Sequence, residues 1–481
     1  MLKIYNSLTK KIEEFVPINP PTVGMYTCGP TVYHYATIGN FRTYLTSDLL
    51  LRVLKYNGYN VDFIMNLTDV GHLTGDNEGD ADTGEDRLEK AARKEGKNAW
   101  DIAKFYTQAF LKDFEALNLT KPAKFTKATD YIEEQIDLAK KLESNGFAYK
   151  INDGLYFDTV AFEAITGKKY GELSTLDVIK EGARIEPNPD KKNPRDFALW
   201  KFSEKPGERH MEWPSPWGIG WPGWHLECSA MSIKHLGETF DVHIGGEDLR
   251  STHHPNEIAQ SEGATGKKFV NYWVHGAFIK VDGKRMGKSL GNAYTVADIL
   301  NKGFDPLALR YLYLTGHYRD VMNFTWKSLE SAQNALNNLR EQVIALRKQD
   351  DSRTMLSNEK SQKTQEYQNE FNQNVNNDLS MPMALATVWS MLKSNIPSED
   401  KYDLLMNFDE VLGLNLASVL EVKQATPQSV LDLAKRREQL RLEGQFEESD
   451  KVRQEIENMG YTVKDTQQGF VVTAQNVKTQ S

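Results

Sequence analysis

Residues 224–257 read WHLECSAMSIKHLGETFDVHIGGEDLRSTHHPNE and hold three side chains of types that bind metal ions, which are Cys228, His253 and Glu257. His253 and Glu257 are four residues apart, so both lie on one face where a helix begins. A closed tetrahedral zinc site needs one more ligand than these three side chains supply. The other candidate thiolate is Cys28, far away in the sequence.

Length and composition are those of an ordinary globular protein. The 481 residues suggest about three domains. No apolar run approaches the roughly 20 residues that span a bilayer, and the first residues lack the apolar core of a signal peptide. The two cysteines cannot form a disulfide framework. We therefore expect a cytoplasmic protein without a membrane partner. The net charge of -9 argues against nonspecific nucleic-acid binding, although a local basic surface remains open.

The first part of the chain has a βαβ pattern. It predicts a buried strand over Val23 to Thr27, a helix over Asn40 to Tyr56 and a second strand over Asn60 to Leu67. In open parallel sheets the ligand binds beyond the carboxyl ends of the strands. Cys28 lies at such an end, and so does the stretch from Thr37 to Asn40. Free N–H groups at a helix N-terminus suit a phosphate, although an ordinary loop is the alternative.

The second half of the sheet is predicted at Asp241 to Gly246. Gly245 and Gly246 would allow a ligand to approach the backbone. Asp248 is interpreted either as a ribose ligand or as a helix cap. A further strand is predicted over Phe269 to Val281.

A glycine-rich loop with three cations follows from Asp282 to Asn292. Such a loop suits a polyphosphate that must be grasped and released. A basic surface turn is the alternative.

Three further regions are interpreted more coarsely. The acidic stretch from Gly71 to Asp86 is read as a solvated insertion, and the chain from Asp86 to Leu117 as helical. Beyond about Thr325 the chain is predicted to be helical, with a core stripe between Trp326 and Leu346. The polar segment from Gln349 to Thr364 is read as a linker. A single last helix is predicted from Val430 to Met459.

These residues and several short motifs resemble the cysteinyl-tRNA synthetases, a family of class I aminoacyl-tRNA synthetases. The resemblance runs over nearly the whole chain, and the metal-ligand residues are its specific part. Its motifs are Tyr26-Thr-Cys-Gly-Pro-Thr-Val-Tyr33, Asn66-Leu-Thr-Asp69, Pro216-Trp-Gly218, Gly223-Trp-His-Leu-Glu-Cys-Ser-Ala-Met231, Gly245-Gly-Glu-Asp-Leu249, His253-His-Pro-Asn-Glu257, Met286-Gly-Lys-Ser289 and Asp465-Thr-Gln-Gln-Gly469.

The resemblance implies an α/β fold, with a Rossmann-like parallel sheet that is interrupted by an inserted connective module. An all-α tRNA-binding region and a small C-terminal domain would follow. The implied parts are residues 1–124 and 223–325 for the catalytic domain, 125–222 for the inserted module, 326–423 for the helical stem and anticodon-binding domain, and 424–481 for the C-terminal domain.

The resemblance also implies one zinc ion per chain, held by Cys28, Cys228, His253 and Glu257. The metal would bind the thiolate of the substrate L-cysteine in an open position, as catalytic zinc sites do. Serine is a near-isostere, and an ordinary pocket separates near-isosteres only about a hundredfold. Its hydroxyl is a poorer zinc ligand, so the metal would discriminate without an editing site. Trp224 and Thr68 would contact the substrate cysteine.

The nucleotide signatures of the family carry over with changes. The family's His-Ile-Gly-His falls on Thr37-Ile-Gly-Asn40, so a threonine replaces a phosphate-binding histidine. The family's Lys-Met-Ser-Lys-Ser falls on Arg285-Met-Gly-Lys-Ser289, which keeps Lys288. The implied catalytic residues are Lys288, Thr37 and Asn40. The implied ATP-binding residues are Thr37, Gly39, Asn40, Gly245, Gly246, Asp248, Arg285, Met286, Lys288 and Ser289.

The implied reaction has two steps. The cysteine carboxylate attacks the α-phosphate of ATP, with magnesium on the leaving pyrophosphate, and catalysis is mainly positioning and charge stabilisation. The cysteinyl group then passes to the terminal ribose of tRNA(Cys). We expect a monomer that binds ATP, L-cysteine and this tRNA.

Two other functions fit part of the pattern. The cysteine ligase of mycothiol biosynthesis shares the zinc site and the adenylation step, but the tail from Thr325 to Ser481 disfavours it. A non-catalytic paralogue that binds RNA or zinc is supported only by Thr37.

Lys288→Ala is expected to slow adenylate formation strongly, because this cation would stabilise the developing charge of pyrophosphate. The measurement is the single-turnover rate of adenylate formation. An unchanged rate would remove Lys288 from catalysis.

Overall fold

A computed structural model describes residues 1–73, 85–174, 188–287, 290–348, 356–421, 428–466 and 469–474. The strands are β1 (Lys3–Asn6), β2 (Lys11–Glu14), β3 (Thr22–Thr27), β4 (Asn60–Leu67), β5 (Lys124–Lys127), β6 (Ala148–Ile151), β7 (Gly154–Phe157), β8 (Phe197–Phe202), β9 (Gly220–Pro222), β10 (Phe240–Gly246), β11 (Val270–Gly276), β12 (Ile279–Val281), β13 (Lys284–Arg285), β14 (Met322–Phe324), β15 (Tyr461–Thr466) and β16 (Gly469–Ala474).

The α-helices follow the same numbering along the chain. They are α1 (Ile38–Tyr56), α2 (Arg87–Glu95), α3 (Ala99–Ala116), α4 (Ile132–Ser144), α5 (Thr159–Thr166), α6 (Trp224–Leu236), α7 (His253–Thr265), α8 (Val296–Asn301), α9 (Pro306–Leu314), α10 (Trp326–Lys348), α11 (Asn358–Asn376), α12 (Met381–Lys393), α13 (Ser398–Leu412), α14 (Ser418–Glu421), α15 (Gln428–Leu442) and α16 (Phe446–Asn458).

A parallel sheet with strand order β11-β10-β3-β4-β5 forms the centre of the fold. Helices cover it, so its inner strands are almost wholly buried, as parallel sheets require. The chain runs from β3 outward to β5 and later returns to the other side of β3 with β10. The order therefore reverses between β3 and β10, which is where ligands bind in such sheets. The predicted strands β3, β4 and β10 are confirmed.

A second sheet, β6-β7-β8-β9, is antiparallel and has its own apolar core. It lies between β5 and α6 in sequence, where the inserted module was predicted. The predicted boundary between residues 124 and 125 falls inside β5, which pairs with β4 in the central sheet.

The strand predicted over Phe269 to Val281 was wrong as a single element. The chain leaves the central sheet after β11, and β12 pairs with β13 and β14 in a small separate sheet. Arg42 explains the break, because its guanidinium donates to the carbonyls of Ala277 at 3.1 Å and Phe278 at 2.8 Å. The Phe278 carbonyl also accepts from the Met322 N–H of β14 at 3.2 Å, so the chain at this point already follows the small sheet.

Three helical predictions also need correction. Gly96, at φ +64°, separates α2 from α3 within the helix predicted from Asp86. Gly444, at φ +75°, separates α15 from α16 within the predicted last helix. The hairpin of β15 and β16 then follows, which the sequence analysis did not predict. The predicted linker ends early, since Ser357 caps α11.

The core stripe predicted in the helical tail is confirmed. In α10 the side chains that lie inside are Leu329, Ala332, Leu336, Leu339, Val343 and Leu346, while Trp326 is half-buried. No helix among the described residues is long and apolar enough to cross a membrane.

Arg310 joins the helical tail to the catalytic sheet. Its fully buried guanidinium donates to Asp48 of α1 at 2.6 Å, to the carbonyl of Leu412 in α13 at 2.7 Å and to that of Leu117 at 3.1 Å. Burial alone would raise the pKa of Asp48, but Arg310 and Arg52 hold it below its ordinary value. One ion pair thus links three parts of the chain.

Asp48→Ala is expected to lower the free energy of unfolding by about 3–5 kcal/mol, because it leaves the Arg310 charge buried without its carboxylate. Urea unfolding followed by tryptophan fluorescence measures this loss. Arg453→Ala is the control, since its pair with Glu457 is 52% exposed at the arginine and is worth less than about 1 kcal/mol. Equal unfolding midpoints for the two variants would contradict the role of Arg310.

Candidate metal centre and active site

The four side chains predicted to bind zinc lie together at the carboxyl end of the central sheet. Cys28 follows β3, Cys228 lies in α6, and His253 and Glu257 lie in the first turns of α7. One ligand atom from each lies within 4.8 Å of the others. The sulfurs of Cys28 and Cys228 are 3.8 Å apart, and Glu257 Oε1 lies 3.6 Å from Cys28 Sγ and 3.0 Å from His253 Nε2. All four residues are buried.

The spacing of these atoms fits a zinc ion. Zinc bonds of about 2.3 Å to sulfur and about 2.0–2.1 Å to nitrogen or oxygen place tetrahedral ligand atoms roughly 3.3–3.8 Å apart. The sulfur–sulfur distance of 3.8 Å and the sulfur–oxygen distance of 3.6 Å agree with this range, whereas the 3.0 Å between Glu257 Oε1 and His253 Nε2 is a direct hydrogen bond that a bound ion would have to lengthen. Two thiolates also favour zinc over magnesium or calcium, which prefer oxygen.

The protonation of the cluster also favours a cation. Burial alone would raise the pKa of Glu257, yet the charges and hydrogen bonds of His243 and His253 lower it to about 2. Burial also opposes ionisation of Cys228, but the hydrogen bond from Cys28 and the proximity of His253 bring its pKa to about 6. Burial raises the pKa of Cys28. Burial alone would lower the pKa of His253, yet Glu257 and Cys228 raise it to about 10. Metal binding would therefore have to displace a proton from this imidazole as well as from the thiols.

A second set of possible ligands shares two members with the first, and the sequence analysis missed it. His243 and His254 join Cys28 and Glu257, again with ligand atoms within 4.8 Å of one another. His243 Nε2 lies 2.8 Å from Glu257 Oε2, and His254 Nε2 lies 3.4 Å from Cys28 Sγ. The other ring nitrogen of His254, Nδ1, lies 2.7 Å from Nε2 of His275. A histidine inside a buried strand was the signal that could have revealed His243.

A stacked pair of rings closes one side of the cluster. Trp224 lies parallel to His72, with ring centroids 4.0 Å apart, and its ring centroid is 4.2 Å from that of His253. Thr31 hydrogen-bonds the far side of His72 at 2.5 Å. Trp224 thus lies against His253, one of the residues predicted to bind zinc, while its contact with the substrate cysteine stays a prediction. The sequence analysis did not single out His72.

Thr68, the other residue predicted to contact the substrate, is buried and pairs with Thr31, the residue that also hydrogen-bonds His72. The Thr68 hydroxyl donates to the Glu227 carboxyl, which also accepts from Asn66 at 3.3 Å. Burial raises the pKa of Glu227 well above its ordinary value, and the neighbouring Cys228 adds to the shift. Glu227 was also missed, although it adjoins Cys228 in the sequence.

The predicted nucleotide signature forms the N-terminus of α1. Thr37 is the N-cap, and its hydroxyl accepts from the Asn40 N–H at 3.3 Å and donates to Asn40 Oδ1 at 2.8 Å. This reciprocal capping leaves the first turn ordered without a ligand. Gly39 packs under Met286, since an added Cβ would lie 3.3 Å from its sulfur. The two signature loops therefore touch.

The other predicted nucleotide residues lie nearby in the fold. A Cβ on Gly245 would lie only 2.5 Å from Cε1 of His254. The position of the His254 ring therefore requires a glycine at residue 245. Asp248 caps neither neighbouring helix and is exposed in the short 3-10 helix after Gly246, which makes the cap interpretation wrong. Arg285 is exposed, and its carbonyl accepts from Asn292 at 3.1 Å. Lys288 and Ser289 lie outside the described residues.

Comparisons with known proteins agree with this architecture. Residues 14–334 match the family described as tRNA synthetases class I (C) catalytic domain. The methionyl-tRNA synthetase of Mycobacterium tuberculosis, solved with methionyl-adenylate, has a TM-score of 0.59 over 85% of this chain and 94% of its own, at 14% identity. At that identity the likeness shows the fold alone, and it confirms the predicted fold class.

Full-length relatives are more specific. The Cysteine--tRNA ligase 1 of Burkholderia lata is 44% identical over 471 residues, which cover 97% of this chain and 96% of that protein. The Cysteine--tRNA ligase of Treponema denticola is 41% identical over 489 residues, which cover 96% of this chain and 98% of that protein. The chain therefore belongs to the cysteine–tRNA ligase family of class I tRNA synthetases.

Proposed function

We propose that this chain activates L-cysteine with ATP and transfers the cysteinyl group to tRNA(Cys). The observation that carries the proposal is the buried cluster of two thiols, an imidazole and a carboxylate, set beside a helix N-terminus at the switch point of the sheet. The relatives named Cysteine--tRNA ligase support it, because they match almost the whole chain, including the helical tail. That coverage does not favour a mycothiol-type ligase or a non-catalytic paralogue, for which Thr37 remains the single argument.

We propose that Cys28, Cys228, His253 and Glu257 hold one zinc ion. When bound, the ion supplies a Lewis acid that prefers a substrate thiolate to a hydroxyl. The chain's own residues build the pocket around it. His243 orients the Glu257 carboxylate through a 2.8 Å hydrogen bond, as outer hydrogen-bond partners of metal ligands commonly do. Trp224 and Thr68 would contact the body of the amino acid.

The nucleotide half of the proposal rests on α1 and the loop that touches it. The N-terminus of α1 offers a positive dipole end for phosphate, with Thr37, Gly39 and Asn40 in the first turn. The N–H groups of Thr37, Ile38 and Asn40 already have partners within the protein, so a phosphate would have to replace some of these bonds. Met286 packs on Gly39, which brings the start of the signature loop to the first turn of α1. We propose that Arg285, Lys288 and Ser289 of this loop bind the phosphates of ATP. Gly245, Gly246 and Asp248 would receive the nucleoside. Magnesium would accompany ATP on the leaving pyrophosphate.

The transfer step would use the remaining parts of the chain. We propose that residues 326–423 and 424–481 bind the tRNA, and that 1–124 and 223–325 carry the chemistry around the module at 125–222. The charged helices α15 and α16 support contact with RNA phosphates, since they carry exposed Lys435, Arg436 and Lys451. The monomeric state and the cytoplasmic location stay predictions from the sequence.

The purified, zinc-loaded protein is expected to charge total cellular tRNA with labelled cysteine and not with serine. The physical reason is that the zinc ion binds a thiolate far better than a hydroxyl. Acid-precipitable label measures charging. Charging with cysteine would show that Thr37 is tolerated in place of histidine. No charging by folded, zinc-bound protein would contradict the proposed function.

Cys228→Ser is expected to lower zinc affinity by about 100-fold or more, because it removes a direct ligand, whereas loss of an outer hydrogen-bond partner alone costs about 10–100-fold. The same variant is expected to abolish cysteine-dependent ATP–pyrophosphate exchange. Competition with a chelator measures the affinity. Ser232→Ala is the control, as it alters a buried side chain of the same helix that is absent from the cluster. Zinc binding at the wild-type level in Cys228→Ser would contradict the ligand assignment.

A further inference from the structure

The loop that enters α1 carries three adjacent rings at residues 33–35, Tyr-His-Tyr. It starts near the cysteine pocket, where Thr31 hydrogen-bonds His72. It ends two residues after the last ring, at Thr37, the N-cap of α1. The rings therefore lie on the rim between the two places where the proposed substrates, cysteine and ATP, would meet.

Helix α3 extends this group of rings. Tyr35 meets Tyr106 edge-on at 5.1 Å and Phe105 at 6.1 Å, measured between ring centroids. His34 lies parallel to Tyr106 at 6.1 Å. Tyr35 is 39% exposed and Phe105 is 45% exposed. We call the five residues Tyr33, His34, Tyr35, Phe105 and Tyr106 the aromatic rim.

Positive charge accompanies the aromatic rim. Lys97 Nζ lies 5.4 Å from the centre of the Phe105 ring, and the Arg87 guanidinium carbon lies 5.5 Å from that of Tyr33. The segment from Arg87 to Lys104 holds six Lys and Arg against three Asp and Glu, a net charge of +3 in a chain whose net charge is -9. Lys97 also pairs with Glu95 at 3.0 Å, and Glu95 accepts from the Tyr106 hydroxyl at 2.9 Å. The net positive charge of the segment, rather than an unpaired Lys97, is therefore what would attract a phosphate.

We propose that the aromatic rim binds the unpaired 3′ end of the tRNA, with its bases stacked on Tyr35 and Phe105 and its phosphates near Lys97. This inference rests on the proposed function, because the terminal ribose must reach the cysteine pocket. Exposed rings interleaved with cations are the features that bind single-stranded nucleic acid, since every base has a face that can stack. Paired stem nucleotides offer no such faces.

The chemistry favours this occupant over a protein partner. A purely apolar docking surface would carry few charges at its centre, whereas here Lys97 lies over one of the most exposed rings. The position also favours it, because the rim is continuous in sequence with the Thr37 loop and with the wall that holds His72. A strand lying across the rim would lead toward both sites.

The test compares two RNAs on one double variant, Tyr35→Leu with Phe105→Leu, which keeps apolar bulk and removes both rings. Binding of tRNA(Cys) with a complete 3′ end, and of the same tRNA with its unpaired 3′ nucleotides removed, is measured by fluorescence anisotropy at one fixed salt concentration. The wild-type protein is expected to bind the complete tRNA about tenfold more tightly, as one or two base stacks would provide. The double variant is expected to bind both RNAs about equally.

Two control variants distinguish the loss of base stacking from a general disturbance of the structure. Tyr35→Phe with Phe105→Tyr keeps both rings and should retain the wild-type ratio. Phe446→Leu removes a distant ring that is 57% exposed and lies 5.8 Å from Arg441, and it should leave the ratio unchanged. A leucine double variant with the wild-type ratio would overturn the proposal, and so would equal weakening of both RNAs.

Two further results bear on a different occupant of the aromatic rim and on the proposed function. Sedimentation that shows a wild-type dimer and a monomeric double variant would overturn the proposal in favour of a second copy of this chain. Failure of the wild-type protein to charge tRNA would count against the proposed function. The ratio of the two RNA affinities still tests the rim in that case, because it does not depend on charging.

Discussion

The burial of ionisable groups beside one another is the constraint on which the rest of this structure depends. Glu257 has no exposed surface, and neither does His243, its partner at 2.8 Å. A carboxylate without partners in such a place would cost several kcal/mol. The histidines on either side of Glu257 offset that cost and keep it ionised. The Cys28 and Cys228 sulfurs lie 3.8 Å apart in the same cluster, and the stacked rings of Trp224 and His72 beside it are themselves buried.

The sheet order explains how distant segments meet in this cluster. Cys28 follows β3 and the loop to α7 follows β10, and these two strands are neighbours although they lie far apart in sequence. Parallel pairing puts their carboxyl ends at the same edge. The chain must therefore complete the long excursion through the antiparallel module before the four proposed zinc ligands can assemble.

Much of this could be predicted from the sequence, and the failures have physical causes. The strands and α1 follow from apolar periodicity, and the spacing of His253 and Glu257 follows from the helix that starts there. The pairing of Cys28 with Cys228 came from family resemblance, because spacing along the chain does not reveal which strands become neighbours. The break after β11 was missed, since it depends on Arg42, which reaches the carbonyls of Ala277 and Phe278 from another element.

The same limit applies to the outer histidines and to the end of the chain. His254 and His275 contact each other only because α7 packs against the edge of the sheet, so their pairing is a tertiary effect. The division of the last helix at Gly444 depends on one residue at positive φ. The hairpin that follows packs back on α15 and α16 through contacts such as Arg437 with Asp465 at 2.6 Å. Short-range sequence patterns seldom reveal that a later segment packs back on an earlier helix.

The buried arginine between the helical tail and the sheet gives α1 a mechanical role. This helix spans 19 residues, which is about 28 Å at 1.5 Å per residue. One end bears the first turn at Thr37, and its middle is clamped through Asp48 and Arg310 to α13. A helix of this length is stiff along its axis. The clamp therefore holds α13 at a fixed distance from the first turn of α1, so the spacing between the helical tail and that turn is set inside one rigid element.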